Sequence, residues 1–291
     1  MCSDNKGGTA DFIQNKKYIN PSLIRTGFLV KVAETKVRIL PLALMKTVGI
    51  IGGLGPETTA IFYQQLIVAC FKQNKNTRPP ILMWSIPIGF KIESNFITKN
   101  QDGEKYVLLL IEGARKLERA GADFLVIPCN SVHIFIKEIR KSVKIPVLSI
   151  VEETTNFLVS QNITKIGVLA TPSTIQNKIY DQFLEKRGIQ IILPDKEDQI
   201  LVGKLIEKIV LNINNDREKK LIIEIIGKLN RNGAENVLLA CTDLQLIVPQ
   251  KSISNIIDSM EILLKSAVKK ILDFGLISML ISIIWMKYRT F

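Results

Sequence analysis

Two nine-residue stretches of this chain follow one pattern. Gly121-Ala122-Asp123-Phe124-Leu125-Val126-Ile127-Pro128-Cys129 matches Gly233-Ala234-Glu235-Asn236-Val237-Leu238-Leu239-Ala240-Cys241. Each has a glycine that stops a helix, then an acidic residue, an apolar run and a cysteine. An uninterrupted apolar run of this length is the mark of a strand buried on both faces, as in parallel sheets. Upstream, Lys46-Thr47-Val48-Gly49-Ile50-Ile51 echoes Lys165-Ile166-Gly167-Val168-Leu169, and the two glycines precede the cysteines by 80 and 74 residues. The chain therefore reads as two similar α/β halves. Each delivers one cysteine to the carboxyl edge of its sheet, where open parallel sheets bind ligands.

The remaining pattern agrees. Strands are predicted at 47–51, 81–86, 123–128, 145–150, 165–170, 189–193 and 236–240. Helices are predicted near 56–72, 103–120, 131–142, 152–160, 173–187, 197–212, 216–231 and 259–272. Pro56 after Gly55 suits the first turn of a helix. The fold class is α/β, with open parallel sheets in two pseudo-symmetric domains.

The 291 residues carry 39 Lys plus Arg against 27 Asp plus Glu, a net +12, and 47% are hydrophobic, which excludes wholesale disorder. Residues 1–44 hold seven basic and three acidic side chains, and residues 45–272 keep a net +7 over 228 residues. The lysines there are scattered and form no stripe interleaved with aromatics, so a solvated surface is expected and no nucleic-acid partner. Residues 1–44 lack a sustained period and read as an extension outside the fold. Domains are expected at 45–150, joined by 255–272, and at 151–254. Residues 273–291 form an apolar tail whose charge-free run, Gly275 to Met286, is short of the ~20 residues that span a bilayer. A frayed or packed helix is favoured there over a membrane contact. Four cysteines without a CxxC pair and a single His suit a reducing, cytoplasmic compartment and supply no metal site.

A reason for two facing thiols lies in stereochemistry. Inverting a carbon that bears an acidic hydrogen requires removing a proton from one face of a planar intermediate and returning one to the other. Cys129 and Cys241, on pseudo-symmetric strands, fit that need. A thiol near 8.5 can be lowered by a helix N-terminus, and both cysteines precede capping types, Asn130-Ser131 and Thr242-Asp243. The loop Gly53-Leu54-Gly55 lacks the third glycine of a dinucleotide fingerprint, since position 58 is Thr58. A small-anion site at a helix start and a plain tight turn both remain open. His133, four residues after Cys129, either tunes that thiol or packs as a cap.

At these residues the sequence resembles the aspartate/glutamate racemase family. The carriers are MKTVGIIGGLGPETTAIFYQQL, PCNSVH, VLATPSTI and ACTDL, in order from Met45 to about Leu272. The resemblance implies cofactor-independent racemisation with Cys129 and Cys241 as opposed acid/base groups. It also implies carboxylate contacts from Asn130, Ser131, Thr171 and Thr242, no metal, a cleft between two domains, a small anionic amino acid as substrate, and a homodimer. Relative to the family pattern, Ser131 stands for Thr, Asp243 for Glu and Ala240 for Gly. The cations that grip the side-chain carboxylate in aspartate-specific members are unmatched: the first region offers Lys91 alone, and Leu211 stands near the second. Two other readings use the same scaffold: a carboxylate-binding protein without turnover, and an isomerase of small dicarboxylates.

Overall fold

The structure is a computed structural model that describes residues 45–73, 78–213, 215–249, 253 and 255–273. The extension 1–44, with Cys2, and the apolar tail from 274 onward lie outside the described residues.

The first half runs β1 (Val48–Gly52), α1 (Pro56–Gln73), β2 (Ile81–Ser85), α2 (Phe90–Lys99), α3 (Gly103–Arg119), β3 (Phe124–Val126), α4 (Ile136–Ser142) and α5 (Ile150–Ser160). The second runs β4 (Lys165–Leu169), α6 (Pro172–Gln176), α7 (Asp181–Glu185), β5 (Gln190–Ile192), α8 (Lys196–Val210), α9 (Asp216–Arg231), β6 (Asn236–Leu239), β7 (Ile256–Asp258) and α10 (Ser259–Ile271). All strand pairs are parallel, in the orders β2-β1-β3 and β5-β4-β6-β7. This is the expected α/β class.

Burial on both faces explains the apolar runs. Phe124 and Val126 join Leu238 and Ala240 in a core that also takes Phe62 of α1 and Leu263 of α10. Leu125 and Ile127 join Val237 and Leu239 in the opposite core, with Leu110 of α3 and Ile206 of α8. Each such side chain contributes roughly 1.5–3 kcal/mol on burial. Helix α10 leaves β7 and packs on α1 and α5, so this helix ties the second sheet to the first.

The repeat has a packing cause. Gly49 lies opposite Leu125, and an added Cβ would stand 3.0 Å from the Ala122 methyl and 3.3 Å from Leu117 Cβ. Gly167 lies opposite Val237, and its Cβ would meet the Ala234 methyl at 3.2 Å and Leu229 Cβ at 3.3 Å. In each half, helix and strand therefore close directly onto the central strand. Gly121 and Gly233 make the corner between them, at φ 98° and 93°, a region that L residues avoid.

Three expectations change and two elements are new. The strand predicted at 145–150 reduces to a bridge of Val147 with Leu125, because Pro146 has no N–H to donate, and Ile150 already begins α5. The helix predicted at 173–187 divides into α6 and α7, with Lys178 at φ 48° between them. The helix predicted at 131–142 opens as a 3-10 turn, Ser131–Phe135. Helix α2 and strand β7 were not anticipated.

Replacing Gly49 by Ala puts a methyl 2.5 Å from Leu125 Cδ2 and should cost about 1–3 kcal/mol. Gly167→Ala should cost less, and urea denaturation with an unchanged m-value is the measurement.

Candidate active site

Strand β3 ends three residues before Cys129 and β6 two residues before Cys241, and each cysteine leads into a 3-10 turn, Ser131–Phe135 or Thr242–Leu246. The amides of Ser131 and Val132 donate towards the Cys129 sulfur, and those of Asp243 and Leu244 towards Cys241. The offsets are identical, two and three residues after each cysteine. Both thiols line one cavity of about 20 Å³, with Asn130, Ser131, Thr171, Thr242, Asp243 and Glu93 among the other lining residues. Every site residue picked from the sequence is thus on this wall.

The two halves meet here through matched contacts. Ser131 Oγ is 2.9 Å from Thr171 Oγ1 and 3.1 Å from Thr174 Oγ1, at the start of α6. Asp243 Oδ1 is 3.1 Å from Thr58 Oγ1, at the start of α1. Ser131 and Asp243 each sit two residues past a cysteine, and Thr174 and Thr58 each sit two residues past a helix-starting proline, Pro172 or Pro56. The pseudo-symmetry therefore extends to the contacts across the cleft. Thr242 Oγ1 adds a bond to the Pro128 carbonyl at 3.3 Å.

Residues 51–267 match the Asp/Glu/Hydantoin racemase family. The chain belongs to that family of racemases. It is 32% identical over 232 residues to the broad specificity amino-acid racemase RacX of Bacillus subtilis, covering 78% of this chain and 99% of that protein. The aspartate racemase of Picrophilus torridus superposes with a TM-score of 0.66 at 28% identity, over 77% of this chain and 93% of that one. An aspartate racemase homologue from Pyrococcus horikoshii gives 0.63 at 26%, over 77% and 98%.

Burial sets the electrostatics of this site. Burial and the neighbouring Asp243 push the Cys129 thiol up to about 12, and the same two causes push Cys241 well above its usual value; the turn amides oppose both shifts. The expectation of lowered thiols is corrected here. Each turn is only five residues long, and its few amides do not offset desolvation. Asp243 rises to about 6, chiefly through burial and then Glu57. Its Oδ2 lies 3.9 Å from the Cys241 sulfur.

His133 is settled as a cap. Its Nδ1 lies 2.7 Å from the Cys129 carbonyl and its Nε2 accepts the Ile150 amide at 3.1 Å, which selects the neutral Nδ1–H tautomer. Burial pulls its pKa down to about 4. The Asn130 side chain, 1% exposed, is bound on both ends: it donates to Ser259 Oγ at 3.0 Å and accepts from Tyr180 Oη at 2.6 Å. Gly53 and Gly55, at φ 80° and 83°, form a tight turn, and a Cβ on Gly55 would stand 2.6 Å from Asp243 Oδ1. Ala240 packs in the hydrophobic core and is not on the cavity wall.

Sequence reasoning missed Glu93. It is 6% exposed and shares the inner face of α2 with Phe96 and Ile97, at the i, i+3, i+4 spacing that would have revealed it. Among the described residues no group of three or more His, Cys, Asp or Glu is arranged to hold a metal ion, and no helix is long and apolar enough to cross a membrane.

Because the folded chain holds the Asp243 proton to about pH 6, against about 4 in an unfolded chain, the native state binds more protons between those values. Its stability contribution therefore falls as pH rises through that window. Asp243→Asn should gain on the order of 1–2 kcal/mol relative to the unaltered protein between pH 4 and pH 7.5, read from denaturant midpoints at both.

Proposed function

We propose that this protein is an amino-acid racemase that inverts the α-carbon by proton transfer between Cys129 and Cys241, without pyridoxal phosphate or a metal. The observation that carries the reading is the pair of thiols with identical amide donors, one from each half, on the wall of one cavity.

The reaction begins with one thiol ionised. Asp243 Oδ2, at 3.9 Å, is the group within reach of the Cys241 proton. The Cys241 thiolate takes the α-hydrogen, and the electron pair left on carbon delocalises into the substrate carboxylate. Cys129 then delivers its proton to the opposite face and becomes the thiolate, and the reverse direction exchanges the roles. The hydroxyls of Ser131 and Thr171, once freed from each other, and the second N–H of the Asn130 side-chain amide are neutral donors for the substrate carboxylate and for the charge that develops on it, and Thr242 joins them if it leaves the Pro128 carbonyl.

A cavity of about 20 Å³ has room for roughly one water molecule. Binding an amino acid therefore requires the wall to open, and closing on the substrate expels water from the reacting carbon. With the scaffold's resemblance we also read the enzyme as a cytoplasmic homodimer of two-domain subunits.

Cys129→Ser and Cys241→Ser should each lower racemisation by at least about 100-fold, the lower range for a general acid or base. Inversion followed by circular dichroism, with no cofactor added, is the measurement. If either single variant keeps full activity, the two-thiol assignment is wrong.

A further inference from the structure

Every ionisable side chain on the cavity wall is an acid: Glu93, Tyr106, Cys129, Cys241 and Asp243. No Lys, Arg or His is among the residues that line it. Lys91 of α2 is exposed, and Lys208 of α8 is bound to Glu218. The side-chain cation that an acidic substrate would need is therefore missing from the wall.

Proton transfer as derived above uses both thiols and Asp243. Glu93 has no part in it, yet a buried carboxyl without a cationic partner is unfavourable and calls for a reason. The Gly55 amide donates to it, and Asp243 and Glu57 repel its charge. One turn further along α2, Phe96 and Ile97 line the cavity together with Ile206 and Val210 of α8. Phe96 is held against the Tyr106 ring at 4.4 Å, and Ser94 of α2 donates to Glu207 of α8 at 2.6 Å. The result is an apolar strip beside a carboxyl, suited to an alkyl stem with a neutral or cationic head.

We propose that Glu93 is a specificity-determining residue of this site, rejecting amino acids with carboxylate side chains and admitting those with neutral or cationic ones. This rests on the racemase reading. A carboxylate side chain would meet a wall that already holds two carboxyls, whereas a cationic head supplies the charge that the wall lacks. Burial, followed by Asp243, pushes the Glu93 carboxyl up to about 7. Its charge near neutral pH therefore responds to what is bound beside it.

The test compares kcat/KM for L-glutamate, L-glutamine and L-lysine in the full-length enzyme and in Glu93→Gln. The unaltered enzyme should favour glutamine and lysine over glutamate by at least about tenfold. Glu93→Gln should raise the glutamate value and lower the lysine value, mainly through KM, bringing the ratios within about threefold. A purely structural role would lower all three together, and that result, or unchanged ratios, overturns the assignment. If the variant fails to fold, the unaltered enzyme decides, since glutamate turned over as well as glutamine overturns it. Absence of inversion with every amino acid would instead overturn the racemase reading on which the assignment rests.

Discussion

The architecture depends on one close approach made twice. A glycine in each central strand, Gly49 and Gly167, lets a helix-to-strand corner, Leu117–Ala122 or Leu229–Ala234, close onto the sheet. That contact accompanies a fixed register, with Gly49 opposite Leu125 and Gly167 opposite Val237. Four residues beyond each partner stands a cysteine. The same steric requirement therefore sets the height of both thiols at their sheet edges. The helix-starting prolines Pro56 and Pro172 then bring Thr58 and Thr174 against Asp243 and Ser131 from the opposite half.

Electrostatics decide what such a site can do. Two thiols and two carboxyls share a small, largely desolvated space with no cation on its wall. Desolvation raises all four above their ordinary values, so near neutral pH both thiols stay protonated, Glu93 is partly ionised and Asp243, at about 6, is largely ionised. A bound amino acid brings an ammonium group, whose charge favours ionisation of the groups around it. On the proposed two-thiol reading, burial keeps both thiols protonated until the ammonium group of a substrate favours ionisation of one of them.

Much of this was legible in the sequence because the repeat forces it. Buried strands that carry cysteines at equal offsets from helix-stopping glycines left few folds open, and the residues chosen for the site, Cys129, Cys241, Asn130, Ser131, Thr171 and Thr242, share one cavity wall. Less local features were hidden. Strand β7 is only Ile256–Asp258, and its pairing with β6 is a tertiary event. Helix α2 was hidden because Pro87 and Gly89 mark the start of its segment as a loop, although Glu93, Phe96 and Ile97 share a face. The thiol pKa was misjudged because sequence shows the capping residues that follow a cysteine and does not show how much water the fold removes. The pairing of Ser131 with Thr174, and of Asp243 with Thr58, joins residues 43 and 185 positions apart and has no local signal.

The central claim is that the proton leaves one face of the substrate to one thiol and returns to the other face from a different thiol. Its most direct test is racemisation of a single enantiomer in deuterium oxide, with both enantiomers separated at low conversion and their deuterium content measured. The two-thiol account predicts deuterium at the α-carbon of the product enantiomer, with the recovered starting enantiomer still carrying protium. Equal deuterium in both would show one base serving both faces, and product formed without deuterium would show that the α-hydrogen never exchanges through a thiol; either result would contradict it.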